Sequence, residues 1–170
     1  MTDPYRAHRD FKMYNAGMRE LLLLVHPTTG ALAIFCTIWF VVEALNASAA
    51  NRARLRLAAG ASFALMFVTW VAGGFWYVVY YPADKAVILA GAWPFAHTFF
   101  MEVKEHAFFI TLTLSLYLWL IARKEDLSMN RTARALALTV ALLVVVSAFA
   151  IEGMGSIVSM GVRVGLLPGA

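Results

Sequence analysis

Four windows of this chain, residues 21–45, 57–80, 93–122 and 133–154, are predominantly apolar. Each exceeds the ~20 residues that a helix needs to cross a bilayer. Within lipid every backbone N–H and C=O must be paired inside the segment, which leaves the helix as the form such windows take. The sequence therefore predicts an all-α fold, an integral membrane four-helix bundle. A short interfacial segment is expected over residues 1–20, a single four-span transmembrane domain over 21–158 and a C-terminal tail over 159–170. Only 14% of the residues are charged, against about 25% in soluble domains, and no stretch is left over for a soluble domain. Cys36 is the sole cysteine. A disulfide framework or a cysteine-ligated cluster made by this chain alone is thereby excluded.

The charges set an orientation. Arg52, Arg54 and Arg56 lie between the first two spans, and Arg123, Lys124, Arg131 and Arg134 between the last two. The connection between spans two and three carries only Asp84 and Lys85. The positive-inside rule puts the two basic connections on the cytoplasmic side and both termini outside, as in a bacterial inner membrane. Trp76, Tyr77, Tyr80, Tyr81 and Trp93 form an aromatic belt at that outer face, the depth at which such rings concentrate. Tyr5, Phe11, Met13 and Tyr14, set among charges, suit a segment lying along the same surface. Topology thus accounts for the net charge of +4, and nucleic acid is not an expected partner.

Against this background a few residues stand out. An ionised side chain at the bilayer centre costs roughly 2.5–3.5 kcal/mol on insertion scales, so such residues are functional candidates by default. His106 precedes Arg123 by 17 residues, about 25 Å of helix at 1.5 Å per residue. Glu152 lies 18 residues beyond Arg134, about 27 Å. Gly73 and Gly74 stand at a similar height above Arg56, and His26 lies 20 residues before Asn46. Four spans thus bring two histidines, a carboxylate and a Gly-Gly pair to one level in the outer half of the bilayer. His97 falls nearer the surface. In span three, His97, Met101 and Glu105 follow at i+4 steps, while Thr98, Glu102 and His106 form a neighbouring stripe. The Glu102 carboxylate is then expected to orient the His106 ring, with Lys104 pointing away from both stripes.

Three functions follow from these residues. The first is a b-type cytochrome, an electron-transfer protein with haem between imidazoles of different spans. His26 and His106 are the expected axial pair, His97 the substitute, Gly73 and Gly74 the clearance for the ring, and Lys104 or Arg163 the partner of the propionates. In architecture this resembles small four-helix membrane cytochromes, and no stretch carries a signature of such a family. The second is a transition-metal site drawn from His26, His97, His106, Glu102, Glu105 and Glu152. The third has no cofactor: an accessory subunit of a larger membrane complex, structural or lining a proton path. The partners implied are the lipid bilayer, other membrane or redox subunits and, from the electron-transfer role alone, a quinone. Nucleophile–base pairs, phosphate loops and nucleotide fingerprints are missing from the sequence, so self-sufficient hydrolytic or nucleotide chemistry is not expected.

Overall fold

The computed structural model of the chain describes residues 4–167, with side chains from Gly17 onward. The described elements are all helical: α1 (Pro4–Leu45), α2 (Arg52–Val79), α3 (Tyr81–Ala90), α4 (Glu102–Lys124) and α5 (Arg131–Gly165). A short 3-10 turn, Ala49–Asn51, precedes α2, and a π-helical segment, Ala96–Met101, leads into α4. Four stretches, Gly17–Leu45, Ala49–Val79, Ala96–Lys124 and Arg131–Gly165, are long and apolar enough to cross a membrane. α1 packs on α2 and α5, and α4 packs on the same two helices, which closes a four-helix ring.

The outer surface of the bundle is compatible with contact with lipid. Large hydrophobic side chains face outward along every long helix, Val78 at 74% exposure and Val146 at 67% among them. Thr37, Ser62, Thr69, Thr111 and Ser115 are buried instead. Alanines fill much of the remaining core, including Ala33, Ala44, Ala58, Ala59, Ala137 and Ala141. Where lipid is as apolar as leucine, helices gain more from close approach at small residues and from buried hydroxyl pairs than from large apolar side chains. Two such pairs are short: Thr29 with Thr69, and Thr37 with Ser62, each 2.7 Å between oxygens. Thr37 donates its proton to the Ala33 carbonyl, so Ser62 is the donor between them.

The structure differs from the sequence expectation in three places. α1 begins at Pro4 and runs unbroken through Pro27, so the segment expected over residues 1–20 is continuous with the first span and His26 sits in mid-helix. Proline lacks the backbone donor that would serve the Leu23 carbonyl, and the helix continues through it. The connection over residues 81–91 contains the helix α3, with Pro82 in its first turn and Asp84 behind it, both favoured positions. Finally, α5 continues to Gly165, so most of the expected tail is helix. The interfacial role expected of Tyr5, Phe11, Met13 and Tyr14 falls outside the described side chains, as do residues 168–170 outside the described chain.

The two ends of the bundle are tied differently. At the basic end Arg54 clasps Glu43 at 2.7 and 3.2 Å, and buried Asn51 donates to the Glu43 and Asn46 carbonyls and to the Glu43 carboxylate. Arg52 pairs with Asp126 at 3.2 Å, and Asn130 caps α5 by accepting from the Ala133 N–H. At the α3 end several ionisable residues, His26, Lys104, Glu105 and Glu152, are partly buried between helices.

An ionisable cluster at the α3 end of the bundle

Three ionisable side chains from three helices lie against glycines of neighbouring helices. His26 of α1 rests on Gly73 of α2, where an added Cβ would stand 2.5 Å from Cε1 and 2.7 Å from Nδ1. Glu152 of α5 rests on Gly30 of α1, where a Cβ would collide with Oε1. Lys104 of α4 reaches Gly155 of α5, with Nζ 3.0 Å from the position of a Cβ. A glycine in a helix interior costs about 0.5–1 kcal/mol relative to alanine, and here each one opens the space that a polar side chain fills.

These groups form one electrostatic unit. The Lys104 ammonium lies in electrostatic reach of Glu152, Glu105 and His26. His26 Nδ1 stands 2.9 Å from the Thr69 carbonyl oxygen, so Nδ1 carries the proton and Nε2 keeps its lone pair. Thr69 also bonds to Thr29, one turn below His26. The Tyr77 hydroxyl lies in electrostatic reach of the Glu105 carboxylate. Oε1 of Glu105 is the one buried side-chain oxygen without a hydrogen-bond partner among the described residues. Toward the basic end the cluster is closed by a layer of Ala33, Ile34, Met66, Phe108, Val144, Ala148 and Ile151.

Nearer the end of the bundle lies a second group. Tyr81 and His97 are 3% and 4% exposed, and the Tyr81 hydroxyl stands 2.9 Å from His97 Nδ1. On the other side of the ring, Nε2 faces Oε1 of Glu102 at 3.6 Å, and the Glu102 side chain is 50% exposed. The π-helical segment explains this pairing. Its i→i+5 register brings Glu102 under His97, where an unbroken α-helix would have brought Met101. Burial pushes the Tyr81 hydroxyl pKa above the ordinary tyrosine value. The Glu102 carboxylate can only accept, which favours the neutral His97 tautomer with its proton on Nε2 and makes the Tyr81 hydroxyl the donor to Nδ1.

The predicted site residues thus separate. His26, Lys104, Glu105 and Glu152 come together, and Glu102 joins His97 instead of orienting His106. His106 is exposed on the outside of α4, with Nδ1 2.7 Å from the Glu102 carbonyl of its own helix. It does not face His26 across an apolar slot. The clearance at Gly73 is filled by the His26 ring, and Gly74 faces open space. Arg163 is exposed in the last turn of α5. Among the described residues no three His, Cys, Asp or Glu side chains are grouped as metal ligands. Thr69 is a contributor without a signal in the sequence, and Tyr77 and Tyr81, expected only in the aromatic belt, contribute to these groups as well. The i, i+4 spacing of the two tyrosines was the available signal; their rings stack at 5.3 Å. No known family model, curated protein or solved structure matches the chain, so function is read from this geometry alone.

Proposed function

We propose that this chain is a multi-pass membrane protein that loads and releases a proton at the cluster of His26, Lys104, Glu105 and Glu152, as a subunit of a larger membrane assembly. One observation carries the reading: ionisable side chains from three helices share one site inside a bundle whose outer surface suits lipid. Burying such groups costs several kcal/mol each unless they pair or change protonation, and a cluster of four with an unpartnered carboxylate oxygen holds a proton more readily than a fixed charge. The apolar layer beneath it separates the cluster from the basic end, so exchange runs toward the α3 end, past the Tyr81 and His97 side chains. With the basic end in the cytoplasm of a bacterial cell, the cluster exchanges protons with the outer side.

Infrared titration of the protein in uniformly oriented liposomes tests this. A protonated-carboxyl band that responds to pH on the α3 side alone, and is lost in Glu152→Gln, is the expected result. A carboxyl band insensitive to pH on either side contradicts it.

A second reading, a haem held through His26, is favoured by one feature: the Thr69 carbonyl fixes Nδ1 and leaves Nε2 as a ligand, the usual arrangement for a metal-bound imidazole. The outward position of His106 does not fit the opposite axial ligand. A Soret band in the purified protein that disappears in His26→Ala supports this second reading, and a colourless protein removes it.

A further inference from the structure

We propose that Tyr81, His97 and Glu102 form the gate through which protons pass between water and the buried cluster, with His97 as the shuttle. The inference rests on the proton-loading reading and adds its route. Glu102 is the half-exposed member, so its carboxylate meets solvent or the lipid headgroup layer. His97 and Tyr81 are enclosed, and their order is linear: carboxylate, imidazole, phenol. The Tyr81 ring stacks on Tyr77 at 5.3 Å, its hydroxyl lies in electrostatic reach of Glu105, and Glu105 in turn is in reach of Lys104. Asp84 also faces Tyr81, but Arg19 binds its carboxylate at 3.4 Å. The two acids near the gate are thereby distinguished, one engaged by a cation and one by the imidazole.

The proton count closes at each atom. For release, a proton from the Glu105 side reaches Oη of Tyr81 as the hydroxyl's own proton passes to Nδ1 of His97. The proton on Nε2 passes to Glu102, which yields it to water. Tyr81 ends neutral with its hydroxyl turned toward the cluster, and His97 ends neutral with its proton on Nδ1. That arrangement is the starting point for uptake, in which each step runs backward. One proton leaves or enters per cycle, Tyr81 and His97 are neutral at both ends of it, and Glu102 returns to its carboxylate form. Imidazole suits this place because its two nitrogens donate and accept on opposite edges of one ring. The π-helical turn gives the segment its purpose: without it the ring and the Glu102 carboxylate would not share a face.

The test is the rate at which the Glu152 carboxyl band responds to a rapid pH jump on the α3 side of the liposomes. His97→Asn is expected to slow that response at least about 10-fold while leaving the equilibrium titration of the band unchanged, and added free imidazole is expected to restore the rate. Tyr81→Phe keeps the ring that stacks on Tyr77 and reads the same step should His97→Asn fail to fold. His106→Asn, on the outer face of α4, is expected to respond at the rate of the unaltered protein. Unchanged rates in both His97→Asn and Tyr81→Phe overturn the gate while the cluster still titrates. Slowing with a shifted titration and no rescue by imidazole also overturns it, since that marks a structural role. A Glu152 band that never titrates in the unaltered protein removes the proton-loading reading itself.

Discussion

The imidazole of His26 lies against the backbone of Gly73, so close that a methyl group there would stand 2.5 Å from Cε1. Gly73→Ala is accordingly expected to push the ring away from the Thr69 carbonyl and to destabilise the protein by about 1–3 kcal/mol, as overpacking does. In a His26→Ala background the same substitution is expected to be nearly neutral. Thermal unfolding of the two single variants and the double variant in detergent measures the coupling. Additive costs contradict the contact.

Lys104 and Glu152 lie in electrostatic reach of one another within the cluster. Lys104→Met alone strands the carboxylate, and a loss on the order of 3 kcal/mol is expected. Lys104→Met combined with Glu152→Gln removes both charges and is expected to recover at least half of that loss. The check is the unfolding midpoint of the single and double variants. A double variant less stable than Lys104→Met alone speaks against pairing.

Asn51 anchors the basic end through three bonds from one buried amide. Asn51→Ala leaves the Glu43 and Asn46 carbonyls without that donor, for a loss of roughly 1–3 kcal/mol. Because the apolar core lies between the two ends, the Glu152 infrared band is expected to be unaffected. A shifted band in Asn51→Ala would mean that the ends are coupled.

Asp84 gives the pH dependence its sign. Burial raises its carboxyl pKa above the ordinary carboxylate value, and Arg19 offsets part of that rise. The folded protein therefore holds this proton more tightly than the unfolded chain does. Stability is expected to rise as pH falls through the raised folded value, and to gain nothing more below the ordinary value. Asp84→Asn is expected to flatten this part of the profile, as read from unfolding midpoints across the acid range.

The sequence made the four spans legible because hydropathy is a one-dimensional signal. Counting residues from the basic ends also placed His26, Gly73 and Glu152 at one depth, and these are side chains and clearance that the cluster uses. Rotation about the helix axis is not carried by such counting. His106 has the right depth and the wrong face, and Gly74 points to open space one residue from Gly73. The π-helical segment at Ala96–Met101 adds a further shift that regular i+4 stripes cannot anticipate, so Glu102 faces His97 where the spacing points to His106. Helix α3 was missed for another reason. Its proline, early Asp84 and closing Gly91 are ordinary helix-start and helix-stop signals, set in a stretch short enough to read as a connection.

The most direct measurement of the central claim is solid-state NMR of the protein in lipid bilayers, with 15N in lysine side chains and 13C in glutamate carboxyl carbons. Dipolar dephasing of the Lys104 ammonium by carboxyl carbons within ~6 Å, the range over which charges shift one another's ionisation, is the predicted result. It should weaken in Glu152→Gln and in Glu105→Gln, and vanish when both are replaced. A Lys104 signal that shows no dephasing in the unaltered protein would contradict the cluster and the function built on it.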